Sequence, residues 1–108
     1  FVPYPDDVRA EALALCAPGH DEIDRAGALA VRIADLYADA VEALLAAAGR
    51  PRVIAIGAHG QTVRHRPESG FTVQVLNAAR LAERSGVPVV ADFRSRDIAA
   101  GGHGAPLV

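Results

Sequence analysis

From Ile23 onward, apolar side chains recur at Ala26, Ala30, Ile33, Tyr37, Ala40, Leu44 and Ala48, a spacing that predicts one long amphipathic helix. The opposite positions carry Asp24, Arg25, Arg32, Asp35, Asp39 and Glu42, the mixture expected of a solvated face with charge pairing along the helix. Asp21, with Asp24 three residues on, resembles a capping pair that would start this helix, and Gly49 with Pro51 ends it. Before it, Pro3 and Pro5 hold the chain extended. Asp6 then offers a carboxylate to the first free amides of a shorter helix, which runs to about Cys16 and stops at Pro18-Gly19.

The pattern changes at Val53-Ile54-Ala55-Ile56-Gly57, a short apolar run of the kind that forms a strand buried on both faces. A polar loop follows. Phe71-Thr72-Val73-Gln74-Val75 alternates as a half-buried strand does, and Ala78 to Arg84 predicts a short helix ended by Gly86. Val87-Pro88-Val89-Val90-Ala91 is a third strand, with Pro88 near its start where a missing amide is tolerated. Helix, strand, strand, helix, strand is an α/β order, with helices packed on a small mixed sheet. The 108 residues fit a single domain, helical over 1–49 and built of strands and loops over 50–108.

Composition narrows the function. Half of the residues are hydrophobic, yet Met and Trp are absent, so the interior must be assembled from Ala, Val, Leu and Ile. Eleven basic against thirteen acidic residues give a net charge of −2 with no basic run, which argues against a nucleic-acid binder that uses Arg64, Arg66, Arg94 and Arg96. Apolar runs are short and interrupted by charge, so no membrane segment is expected, and a single cysteine fits a reducing, cytoplasmic setting. Phe1 in place of Met and an apolar end at Val108 predict a chain that continues in both directions, an incomplete domain.

Three polar clusters follow the strands, where open α/β sheets place ligands. In Gly57-Ala58-His59-Gly60-Gln61-Thr62, two glycines allow close backbone approach, and three side chains can exchange hydrogen bonds with a hydroxylated ligand. A turn whose His59 and Gln61 only satisfy local backbone groups fits equally. In Asp92-Phe93-Arg94-Ser95-Arg96-Asp97, an aspartate could orient a hydroxyl and an arginine could bind a carboxylate or phosphate through paired hydrogen bonds; a surface ion-pair network is the plainer alternative. Gly101-Gly102-His103-Gly104-Ala105-Pro106 reads as a nest of amides facing an anion or as a hinge.

Other chemistries find less support. Neither G-x-x-x-x-G-K-[ST] nor G-x-G-x-x-G occurs. The four histidines, His20, His59, His65 and His103, match no compact zinc spacing, so no metal site is assigned. Cys16 falls on the apolar side of a helix end, where core packing accounts for it.

Two long stretches carry a resemblance. Ile56 to Pro67 (I-G-A-H-G-Q-T-V-R-H-R-P) and Val90 to Val108 (V-A-D-F-R-S-R-D-I-A-A-G-G-H-G-A-P-L-V) resemble the anhydro-N-acetylmuramic acid kinase family. The resemblance implies part of a lobe of the actin-like fold of sugar kinases and Hsp70, in an enzyme of cell-wall sugar recycling. With ATP and Mg2+, such an enzyme would open 1,6-anhydro-N-acetylmuramic acid with water and phosphorylate it. It places the phosphate loop upstream of Phe1 and the aspartate base downstream of Val108, so no catalytic residue and no nucleotide site is assigned here. What it assigns is a sugar-side role to His59, Gly60, Gln61, Thr62, Asp92, Arg94 and Asp97, with a homodimer possible for the full-length enzyme. Two departures stand out: Leu76 replaces a usual glycine, which questions the turn after the Phe71 strand, and His103 replaces a usual glutamine. A non-catalytic α/β binding module that keeps the sugar-side loops is the alternative.

Overall fold

The computed structural model describes residues 1–105; Pro106, Leu107 and Val108, the end of the second motif, lie outside the described residues. Four helices, α1 (Asp6–Ala14), α2 (Glu22–Ala47), α3 (Ala78–Ser85) and α4 (Ser95–Ala99), accompany four strands, β1 (Ile56–Gly57), β2 (Gln61–Arg66), β3 (Phe71–Val75) and β4 (Val89–Val90). The strands form two separate ladders rather than one mixed sheet. β1 and β4 run parallel, whereas β2 and β3 are antiparallel and are joined by a 3-10 turn at Pro67–Ser69 and a left-handed Gly70.

α2 is the spine. Its 26 residues span about 39 Å at 1.5 Å per residue, and its inner face serves two small cores. One gathers Val8, Ala12 and Leu15 with Leu29 and Ile33 of α2 and Val63 and Val75 of the hairpin. The other joins Ala34 and Ala38 of α2 to Ala58 and Leu81. The predicted stripe holds in its middle, at Ala26, Ala30, Ile33 and Tyr37, but Ile23 and Leu44 are 88% and 67% exposed. Leu44 lies past the residues of both cores, and Ile23 borders an open hollow with Leu15, Val63 and Phe71, so neither side chain is covered.

Capping also differs from the pattern. Pro5, not Asp6, stands at the start of α1, with Asp6 and Asp7 inside the first turn, where carboxylates complement the helix dipole. Asp21 begins α2 in the left-handed region (φ 49°) without a side-chain cap, and Glu22 instead accepts a hydrogen bond from the Gly19 amide at 2.7 Å. The charges of α2 pair between elements: Arg25 with Glu11 (2.6 Å), Arg32 with Asp7 (2.7 Å), and Asp35 with Arg80 and Arg84 of α3 (2.7 and 2.9 Å). The two guanidiniums hold the Asp35 carboxyl well down, at about 2.

Asn77 caps α3 by accepting from the Arg80 amide (2.9 Å), and Gly86 (φ 67°) ends it, as Ala78 to Arg84 with a terminal glycine predicts. The strand expected over Val53–Gly57 is paired only at Ile56 and Gly57. Val53 and Ile54 are exposed, because a two-stranded ladder covers too little to bury a strand on both faces. Two elements escape the sequence pattern altogether. Gln61–Arg66 is a strand, not a loop, and Ser95–Ala99 is a helix. Cys16 is exposed rather than packed: α1 ends at Ala14, Leu15 takes the core position at 3% exposure, and the thiol donates to the Ala12 carbonyl at 3.3 Å.

Candidate functional site

β1 and β4 lie side by side and parallel, so their carboxyl ends open on the same side. There the chain runs from β1 into Ala58-His59 and from β4 into Ala91-Asp92, and a cleft of about 360 Å³ forms between them. Its floor and far wall come from β3 and the start of α3, through Thr72, Val73, Gln74, Leu76 and Ala78, and Ser95 completes the rim. A ligand site outside strand ends is the arrangement expected of an open parallel α/β ladder.

Gly60 sets the position of the His59 wall. Its φ of +73° is a conformation that L-residues rarely adopt, and a Cβ there would meet the Val75 carbonyl oxygen at 2.8 Å and Leu76 Cβ at 2.9 Å. Glycine is therefore required twice, by backbone angle and by space. Leu76 itself is not among the described residues with positive φ; it packs against both cores, so the turn after β3 accepts a side chain without strain. The His59 Nδ1 lies 2.9 Å from the Gly60 carbonyl oxygen. A carbonyl only accepts, so Nδ1 carries the proton, and in the neutral ring Nε2 is left as an acceptor.

Asp92 stands on the other wall with φ 55°, a left-handed conformation that aspartate tolerates better than most side chains. One carboxylate oxygen, Oδ1, accepts from the Ser95 amide (3.2 Å) and the Ser95 hydroxyl (2.6 Å), fixing the entry to α4. Oδ2 has no partner among the described residues. Strain at a residue lining a cleft is a common mark of a functional position.

The structure thus brings His59 and Asp92 together and sets the other sequence candidates apart from the cleft lining. Gln61 opens β2 opposite Val75, and its amide donates to the Thr62 carbonyl at 3.3 Å. The Thr62 hydroxyl sits behind the wall, accepting from Gln74 at 3.3 Å. Arg94 is half-buried at the start of α4. Asp97 is occupied internally: its Oδ2 accepts from the Gly104 amide at 2.8 Å, and its backbone carbonyl accepts from the Gly102 amide at 2.8 Å. A Cβ on Gly102 would collide with that carboxylate. The glycine segment folds back on Asp97, with one amide, that of Gly104, on its carboxylate, while the Gly101 and Gly102 amides donate to the backbone carbonyls of Ile98 and Asp97. His103 is exposed beside it.

Thr72, Gln74 and Ser95 are the polar cleft residues that the sequence pattern did not single out. For Thr72 and Gln74 the signal lies in the alternation of β3, whose polar side is half-buried while Phe71 and Val73 are exposed. A larger hollow of about 470 Å³ between α2 and α3 is lined mostly by Ala, Leu and Val, with Arg84 and Asp39 already paired, and offers less chemistry. Among the described residues no three His, Cys, Asp or Glu side chains gather as metal ligands.

The family profile described as anhydro-N-acetylmuramic acid kinase matches residues 1–108. The chain is 59% identical to an anhydro-N-acetylmuramic acid kinase of Chromobacterium violaceum over 99% of its own length and 30% of the relative's. It is 56% identical to one of Thiobacillus denitrificans, over 100% and 29%. A third, from Bordetella petrii, is 61% identical over 99% and 29%. The chain therefore spans about three-tenths of the length of these curated relatives.

Proposed function

This chain belongs to the anhydro-N-acetylmuramic acid kinase family, and from that premise we propose that it supplies the sugar-side wall of the cleft in a larger kinase. The whole protein would use ATP, Mg2+ and water to open 1,6-anhydro-N-acetylmuramic acid and form N-acetylmuramic acid 6-phosphate. The fold around the cleft would be a partial lobe of the actin-like sugar-kinase architecture, in a cytoplasmic enzyme able to pair as a homodimer. No described helix is long and apolar enough to cross a membrane.

One observation carries the reading. His59 and Asp92, more than thirty residues apart in sequence, face one cleft at the carboxyl ends of two parallel strands. The cleft sets the polar groups of His59, Thr72, Gln74, Asp92 and Ser95 beside apolar Val73, Leu76, Ala78 and Ala91, a mixture that suits the hydroxyl and acetamide groups of an amino sugar. Gly60 fits as the close-approach residue of that wall. Gln61, Thr62, Arg94 and Asp97 act from behind the lining, as supports of the walls.

No nucleotide-binding role is proposed for the described residues. In the glycine segment the Gly104 amide donates to the Asp97 carboxylate, the Gly102 amide to the Asp97 carbonyl and the Gly101 amide to the Ile98 carbonyl, and G-x-x-x-x-G-K-[ST] does not occur in the 108 residues. No step is therefore assigned through ATP or Mg2+, and no residue of this chain is nominated as the base.

The test is a ring-opening phosphorylation assay on the full-length protein with ATP and the anhydro sugar. Asp92→Asn keeps an acceptor for the Ser95 amide and hydroxyl and tolerates the left-handed backbone while removing the charge, so it should lower kcat/KM for the sugar with little change in melting temperature. An unaltered kcat/KM would remove Asp92 from the site. The 108 residues alone should show no turnover, and robust turnover by them would overturn the division of labour proposed here.

A further inference from the structure

The β2–β3 hairpin contains an irregularity that decides which of its side chains can meet a ligand. Thr62 pairs with Gln74 and His65 with Thr72, while Val63 is passed over in the register. Thr62 and His65 are three residues apart and would ordinarily point to opposite faces of a strand. The extra residue, a β-bulge, lets both meet partners that lie on one face of β3, two residues apart.

The result is a chain of polar contacts along that face. The Gln74 amide nitrogen donates to the Thr72 hydroxyl oxygen at 2.7 Å and to the Thr62 hydroxyl oxygen at 3.3 Å. His65 Nδ1 lies 3.1 Å from the same Thr72 oxygen, which is also 3.4 Å from the Arg64 carbonyl. Both N–H groups of Gln74 are thereby committed, and its side-chain carbonyl oxygen has no partner among the described residues. Thr72 and Gln74 line the cleft, whereas Thr62 does not.

Resting on the kinase reading above, we infer that Gln74 is the hairpin's contact with the sugar, accepting a hydrogen bond from a neutral hydroxyl or acetamide N–H, and that Thr62 is a positioning residue that holds the Gln74 amide. The opposite wall carries the unpaired oxygen of Asp92, and among the described residues no Arg or Lys lines the cleft. An arrangement of acceptors without a cation recognises donors and repels anions. The edge of the sugar that faces Gln74 is therefore its neutral hydroxyl and acetamide edge, and its carboxylate points away from this wall.

Steady-state kinetics of the full-length enzyme with ATP and 1,6-anhydro-N-acetylmuramic acid test this. Gln74→Ala should raise KM for the sugar about tenfold, the scale of one net hydrogen bond at the strong end of its range, with KM for ATP within about twofold of wild type. Gln74→Glu preserves an acceptor that the two threonine hydroxyls can still hold, and should recover most of the loss. Thr62→Val should produce a smaller rise, and combining it with Gln74→Ala should add nothing, because Thr62 acts through Gln74. An unchanged sugar KM in Gln74→Ala overturns the inference, as do multiplicative effects in the double variant. If Gln74→Ala melts markedly lower than wild type, Gln74→Glu and the double variant decide the matter. Failure of the unmodified enzyme to turn over the anhydro sugar sinks the kinase reading, and this inference with it.

Discussion

Gly60→Ala adds one methyl group where the His59 loop meets the end of β3, and its effect can be worked from the geometry. A φ of +73° disfavours an L-residue by about 1–2 kcal/mol. The added Cβ would also lie 2.8 Å from the Val75 carbonyl oxygen and 2.9 Å from Leu76 Cβ. Forced overpacking of that kind costs about 1–3 kcal/mol. Gly70→Ala provides the control. Its φ is +78°, yet nothing lies within 4 Å of the position a Cβ would occupy, so only the backbone effect operates. Both substitutions also restrict the unfolded chain by the same amount, worth roughly 0.4–1 kcal/mol in the stabilising direction, which cancels between them. Gly60→Ala should therefore be the worse of the two by about 1–3 kcal/mol. Native-state hydrogen exchange at the β2–β3 amides of the full-length protein measures this locally, and sugar KM should rise in Gly60→Ala alone. Equal exchange protection in the two variants, within about 0.5 kcal/mol, would refute the close approach on which the His59 wall depends.

Further outcomes follow from other contacts. Leu81 of α3 is fully buried with Ala34 and Ala38 of α2 and Ala58, and Leu81→Ala should destabilise by about 2–5 kcal/mol in urea denaturation; a shift below about 1 kcal/mol would mean that this second core is not packed as described. Gly102→Ala drives a methyl group into the Asp97 carboxylate and should lower the melting temperature, whereas Gly101→Ala meets only the left-handed backbone penalty. Asp35 is held from 3.8 down to about 2 by Arg80 and Arg84. A carboxylate depressed in the folded state contributes stability that is complete above its unfolded value and lost as pH falls through its folded value. The stability difference between wild type and Asp35→Asn should thus be constant at neutral pH and shrink as pH drops from 3.8 toward 2, read from urea midpoints; a pH-independent difference would dissociate Asp35 from its arginines.

The candidate site was legible in the sequence as far as local chemistry reaches. Gly60 beside His59, and Asp92 at the end of a valine-rich strand, sit in residue contexts that need no knowledge of distant partners. Asp97 and Thr62 were not separable from them on the same grounds. An aspartate five residues after Asp92 looks equally available until the glycine turn folds back on it, and a threonine one residue after Gln61 looks equally exposed until Gln74 crosses in front. Gln74 and Thr72 were passed over because alternating polar residues on a strand read as a solvated face, whether that face meets water or a cleft.

What the chain determined unaided is its helix spine, the hairpin's second strand, and helix α3 with its glycine stop, since periodicity and turn chemistry act over a few residues and survive any tertiary context. Only the tertiary structure decided that the polar stretch after β1 becomes a strand with a bulge, that Ile23 and Leu44 of α2 stay uncovered, and that the glycine segment folds back on Asp97. Those outcomes depend on which surfaces meet across long sequence separations, and the free energy of such meetings is set by packing and partner availability rather than by any residue's own preference.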